Sequence, residues 1–345
     1  MAPRQPASED LIDKGIFVNT VLVVGSNSFS GASFADFALG QGARVIGTSR
    51  SAEPITAFLP YRWHESKNFE FHQLDLNRDL PAITTLIRDV RPDYVVNFAA
   101  QSMVGESWQN PADWFMTNAV STVKFHDELR KCDFLKRYVH ISTPEVYGSC
   151  TGFVTEDFPF NPSTPYAVSR AAADMSLRTF RAAYNFPVVS TRAANVYGPG
   201  QQLYRIIPRT ILYILLGRKL QLHGGGESTR SFIHIRDVSD ATWRIMLNGR
   251  DGDTYHISTN NVISIRELVE MICNKLGANL ADHVEVVGER MGKDAAYHLD
   301  SSKLRKELDW TDKIGLDSGI DESIAWVRDN LDALKKEPDH YIHKP

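Results

Sequence analysis

The 345-residue chain has only three cysteines, Cys132, Cys150 and Cys273. They are odd in number and scattered, which argues against a disulfide framework or a thiolate metal site; no metal is expected. A basic excess is also missing: 38 Lys and Arg stand against 42 Asp and Glu, so nucleic acid is not an expected partner. Long apolar runs are absent. The longest, Ile206 to Leu216, is interrupted by Pro208 and Arg209 and is too short to span a bilayer. The opening MAPRQPASEDLIDKG has no apolar stretch of the secretory kind. Together these absences lead us to expect a cytoplasmic protein without membrane association. No repeat or low-complexity tract stands out. Apolar residues make up 43% and charged residues 23%, the balance of an ordinary globular enzyme with material for one large or two modest domains.

What is present begins with Thr20-Val21-Leu22-Val23-Val24, a β-branched apolar run expected to be a buried parallel strand. It leads into a glycine-bearing turn, Gly25 to Gly31, and then a helical stretch. Strand, turn and helix in that order form a dinucleotide pyrophosphate site, with Gly25, Asn27, Ser28, Phe29 and Gly31 as its residues. Ser28 stands where a middle glycine is usual. A second strand from Ala43 ends at Ser49-Arg50, where an NAD site usually carries a carboxylate. Arginine suits the 2′-phosphate of NADP, so NADP is the expected cofactor, with NAD the alternative. Further strands are expected at Phe69 to Leu76, Asp93 to Ala100 and Tyr138 to Ile141. Ala99 and Ala100 are small enough to let a cofactor approach the backbone. Regular alternation of strands and helices makes this a doubly wound α/β chain of the Rossmann type, with a smaller mixed α/β domain after it.

The chemistry is expected between Ser142 and Arg170. Thr143 and Glu145 follow a strand end, and Tyr166 and Arg170 lie four apart on a helix, hence on one face. The fixed charge of Arg170 is expected to lower the Tyr166 pKa, so that tyrosinate accepts a sugar hydroxyl proton as hydride leaves the adjacent carbon. The same helix is expected to bury a stripe of Val168, Ala171, Ala172 and Met175, against the core or a second subunit. His234 and the Thr254 to Ser258 stretch read as structural.

These residues resemble the extended short-chain dehydrogenase/reductases, whose signature on this helix is Tyr-x-x-x-Lys; this chain carries Arg170 at the lysine position. Asn97-Phe-Ala-Ala-Gln-Ser102 and Asn195-Val-Tyr-Gly-Pro199 are similar to stretches of the nucleotide-diphosphate-sugar 4,6-dehydratase branch, and the likeness runs from about Thr20 to Leu331. The resemblance implies that Asp75 and Leu76 meet adenine and that Tyr166 and Arg170 also touch the cofactor. Ser102, Asn118, Asn195 and the diphosphate-binding arginines Arg205, Arg230 and Arg290 are implied to face the sugar nucleotide. It further implies oxidation at C4, removal of the C5 proton by Glu145, loss of the C6 hydroxyl as water, and hydride return to C6. Many dehydratases carry Asp before the Glu as a proton donor. Here Pro144 stands there, leaving that task to Glu145 or a water.

The domains expected are a flexible arm over 1–16, a cofactor domain over 17–193 rejoined by 231–257, and a sugar-nucleotide domain over 194–230 and 258–345. A homodimer, or a tetramer, is implied. Three alternatives stay open: an epimerase, a nucleotide-glucuronate decarboxylase, and a binding protein with little turnover because of Arg170.

Overall fold

The computed structural model describes residues 19–150, 152–288 and 298–345. Its centre is a seven-stranded sheet. Across it run Thr254–Ile257, Val188–Ala193, Arg137–Ile141, Tyr94–Asn97, Thr20–Val24, Arg44–Ser49 and Phe69–Gln73, every neighbouring pair parallel. A parallel sheet has helices on both faces, so its strands must be apolar on both. Thr20–Val24 shows why. Val21 and Val23 point into one core with Phe34, Trp243 and Val45, while Leu22 and Val24 point into the opposite core with Phe125, Leu177 and Phe186. The sequence enters the sheet beside the Tyr94–Asn97 strand on one side and Arg44–Ser49 on the other, so the crevice above Thr20–Val24 is the point where the winding reverses.

A second lobe has its own core, built by Ile207 and Ile211 of helix Ile206–Leu215, Leu268 and Ile272 of helix Ile265–Leu276, and Ile320 and Ile324 of helix Leu316–Asp329. The strand Thr254–Ile257 pairs with Val188–Ala193 and so lies in the large sheet. Helix Ser302–Leu308 differs from its expected place on the second lobe: Leu304 and the nearby Trp310 are buried with Trp243 in the large-domain core. Arg305 stacks over Trp310 at 5.0 Å and helps seal that corner.

The stripe expected to be buried on the helix after residue 164 is only partly so. Helix Pro165–Tyr184 buries Ala167, Ser169, Arg170, Ala171, Ala173, Asp174 and Leu177, whereas Val168 is 39% and Met175 57% exposed. The reason is polar: the inward face carries Arg170 and Asp174 to partners on the sheet, which turns the larger apolar side chains outward.

Candidate active site

The glycine turn is shaped by close approach. Gly25 has φ of +83°, and a β-carbon there would come within 2.7 Å of the Ala99 nitrogen. At Gly31 a β-carbon would collide with the main-chain oxygen of Gly25. Ser28, in the place of the usual middle glycine, caps helix Phe29–Gly40. Its Oγ accepts from Gly31 N at 3.1 Å and donates to Gly25 O at 2.7 Å. No acidic side chain occupies the first turn of this helix, which leaves its positive end available to a pyrophosphate. Phe29 itself is buried in the core. Replacing Gly31 with alanine is expected to weaken dinucleotide binding by about tenfold or more, about 1.4 kcal/mol, with the circular dichroism spectrum unchanged; titration calorimetry checks it.

Asn27, expected as a cofactor ligand, is bonded within the chain on three sides. Its main-chain N–H donates to Ser49 Oγ at 3.0 Å, its amide donates to the Ser51 carbonyl at 3.0 Å, and its Oδ1 accepts from Tyr61 at 2.9 Å. It therefore ties the first turn to the loop after Arg44–Ser49. Tyr61, buried beneath this tie, has no motif to reveal it in the sequence. Asp75 turns its Oδ1 back to Asn77 N at 2.8 Å, and Leu76 is buried in the helix layer. Ala99 lies at the end of Tyr94–Asn97, its N–H held by Asn97 Oδ1 at 2.9 Å, with Ala100 next to it.

Asn118 is fully buried, accepting from Gln101 N at 2.9 Å and donating to Gln101 O at 2.9 Å and Ser169 Oγ at 3.0 Å. These bonds fasten the loop after Ala100 to the Tyr166 helix. Asn118 lies in a π-helical turn, Met116–Ser121, the widened turn that points it across.

Thr143 and Glu145 are set by the turn that follows Arg137–Ile141. Thr143 caps the short 3₁₀ helix Pro144–Tyr147, its hydroxyl accepting from Glu145 N at 3.3 Å. On the other side, Thr164 caps helix Pro165–Tyr184 through Ala167 N at 3.1 Å, which fixes where Tyr166 emerges. Tyr166 is buried, with Thr143, Arg170 and Glu145 all acting on its phenol. The expected fall in its pKa is not what results. Burial raises it, and Arg170, Thr143 and Arg205 lower it only in part, while Glu145 adds to the rise; the net direction is upward. Arg170 is 3% exposed and donates through Nη2 to the Ile141 carbonyl. Among the described residues, its Nε is buried without a partner.

Beneath these residues lies a buried polar network without a sequence motif. Ser142 Oγ and Arg192 Nη2 both donate to Asp174 Oδ2, each at 2.7 Å, and His140 lies 3.4 Å from Oδ1. Arg192 also donates to the Tyr147 hydroxyl, which meets His256 at 2.7 Å. Burial pushes the Asp174 carboxyl up, but Arg192 and His140 overcome it and hold it well below the usual carboxylate range. Burial likewise keeps His140 neutral by lowering its pKa. Asp174→Ala would leave Arg192 charged and unpaired, and a loss of about 3–5 kcal/mol is expected in urea unfolding.

On the second lobe, Asn195 opens the strand Asn195–Tyr197, paired with Phe232–His234. Arg205 caps Ile206–Leu215 and stacks over Tyr204 at 5.4 Å; its charge is felt at Tyr166. Arg230 donates to the Thr229 carbonyl at 2.7 Å. Ser102 is exposed in the loop after Ala100. Arg290 lies outside the described residues. His234 is buried and caps the helix Ile235–Asn248, and burial lowers its pKa to about 3, keeping it neutral. Among the described residues, no group of three or more His, Cys, Asp and Glu is arranged to hold a metal ion, and no helix is long and apolar enough to cross a membrane.

The sequence profile of the GDP-mannose 4,6 dehydratase family matches residues 22–323. This chain belongs to that family. It is 31% identical over 331 residues to a dTDP-glucose 4,6-dehydratase of Xanthomonas campestris, covering 90% of this chain and 93% of the relative. A Streptomyces niveus dTDP-glucose 4,6-dehydratase is 32% identical over 322 residues, with 90% and 93% covered. Among solved structures, the dTDP-glucose 4,6-dehydratase of Streptomyces venezuelae with NAD bound superposes with a TM-score of 0.83 at 29% identity, over 91% of this chain and 98% of that one. The Bacillus anthracis enzyme in complex with NAD gives 0.84 at 29%, over 92% and 99%. The Rossmann-type α/β fold and the extended short-chain dehydrogenase/reductase resemblance are thus both borne out.

Proposed function

We propose that this chain is a nucleotide-diphosphate-hexose 4,6-dehydratase working with a nicotinamide dinucleotide. The observation that carries the reading is one turn of chain, Thr143 to Glu145, which sets a hydroxyl and a carboxylate where both act on the Tyr166 phenol. A base for a hydroxyl and a second base for a neighbouring C–H are what oxidation at C4 followed by elimination across C5 and C6 requires. An epimerase needs only the first.

The residues present fit a dinucleotide. Gly25 and Gly31 shape the turn, the capped helix directs its positive end outward, and Arg170 Nε is a buried donor without an acceptor among the described residues. When bound, the nicotinamide supplies the hydride acceptor for C4 and the donor for C6. Tyr166 removes the C4 hydroxyl proton, with Thr143 holding the phenol and Arg170 favouring the phenolate. Glu145 removes the C5 proton once the ketone has acidified it and delivers a proton, directly or through a water, to the C6 hydroxyl, which departs as water. Ser102, Asn195, Arg205, Arg230 and Arg290 are assigned to the sugar nucleotide, the arginines to its diphosphate. Arg50 favours NADP over NAD, although the two solved relatives hold NAD. The exposed Val168 and Met175, with Met116 and Val120 of the neighbouring helical segment also exposed, support a homodimer formed through these helices.

Mass spectrometry after incubation with a panel of nucleotide-diphosphate hexoses tests the reading: the product is expected to be lighter by one water. Isomers of unchanged mass would mean epimerisation, and carbon dioxide released from a uronic acid would mean decarboxylation.

A further inference from the structure

The segment 339–345 crosses the same cleft. It is anchored on the second lobe at Asp339, whose carboxylate accepts from Tyr213 and Arg218, both at 3.1 Å, and whose carbonyl accepts from Arg209 at 2.7 Å. From there it runs to the large domain. Tyr341 packs edge-on against Tyr204 at 5.7 Å and donates to Gln101 Oε1 at 3.2 Å. His343 stacks on Trp114 at 5.1 Å, with its Nε2 2.7 Å from Asp113. The Lys344 carbonyl then accepts from both Gln101 Nε2 at 2.6 Å and Arg50 Nη1 at 2.8 Å.

The last pair decides what the segment does. Gln101 follows the strand Tyr94–Asn97 and Arg50 follows Arg44–Ser49, and the strand between these two is Thr20–Val24, whose carboxyl end is the glycine turn. A backbone carbonyl shared by Gln101 and Arg50 therefore sits over the crevice in which a doubly wound sheet takes its ligand. It also engages the guanidinium assigned to the adenosine end of the cofactor. We propose that residues 339–345 form an autoinhibitory strap that competes with the dinucleotide for this crevice, so that cofactor binding and strap closure exclude each other. The inference rests on the reading of this cleft as the cofactor site. A cofactor that binds only the open state has its affinity reduced in proportion to the open fraction. The strap thus sets how much of the protein is ready for cofactor.

The experiment is calorimetric titration of NADP⁺ and NAD⁺ into the full chain, into a chain ending at Pro338, and into the full chain carrying Tyr341→Ala and His343→Ala. The double substitution removes the side-chain anchors without shortening the chain, and so answers the question even where truncation impairs folding. Both variants are expected to bind dinucleotide at least about tenfold more tightly than the full chain, the gain expected when an open fraction near a tenth is released. Equal affinity in all three would overturn the strap and leave the cofactor reading standing. Weaker binding by the variants would also overturn it, because the segment would then be a lid that retains cofactor. No binding by any of the three would bring down the cofactor reading and the strap with it.

Discussion

Replacing Glu145 with glutamine will lower dehydration about a thousandfold, within the range removed with a positioned general base, while dinucleotide affinity stays unchanged. Glutamine keeps the size and the backbone of the Pro144–Tyr147 turn, and the Thr143 cap is made to the main-chain N–H of residue 145, so the cap survives the exchange. What goes is a carboxylate half-buried beside a buried phenol. Loss of water measured by mass spectrometry, with calorimetry for the cofactor, separates the two effects. A variant within tenfold of the parent would place the C5 base elsewhere.

Arg170 gives the second large effect. Burial holds the Tyr166 pKa up, and Arg170 is foremost among the groups that offset it. The phenol works as a base, so activity rises with pH until the phenolate is fully formed. Removing the cation must move that rising limb to higher pH. Arg170→Met is therefore expected to shift the limb upward by at least about one unit, with activity at pH 7 down at least about tenfold, each unit corresponding to a tenfold change. Arg170→Lys keeps the charge and is expected to stay within about tenfold of the parent. The kcat/KM profile against pH checks both. A limb unmoved in Arg170→Met would show that the phenol is tuned without it, and a lysine variant far more active than the parent would mark the arginine site as a weakened one.

The legible parts of this protein are those whose physics is local. The all-apolar β-branched run at Thr20–Val24 requires burial on both faces, and Gly25 and Gly31 require a turn closer than any β-carbon permits, so strand, turn and helix could be read directly. Tyr166 and Arg170 could be placed on one face because helical spacing alone does that. The direction of the Tyr166 shift could not be read, because it depends on how deeply the ring is buried, a property of the packed domain. Asn118 was legible as a position, but not its bonds within the chain, because its partners Gln101 and Ser169 are 17 and 51 residues away in sequence. The Asp174–Arg192–Ser142 network was hidden for the same reason, and its demand for an inward polar face is what sent Val168 and Met175 outward. The segment after Pro338 gives no sequence signal for its place over the crevice, which comes from long-range contacts to Arg50 and Gln101.

The most direct test of the account is to run the reaction on the productive nucleotide-diphosphate hexose in deuterated water and locate the deuterium by NMR. Proton removal by Glu145 with water loss across C5 and C6 predicts a 4-keto-6-deoxy product carrying solvent deuterium at C5. A 4-keto-6-deoxy product with its original hydrogen at C5, or an isomer of the substrate with no deuterium at all, would contradict it.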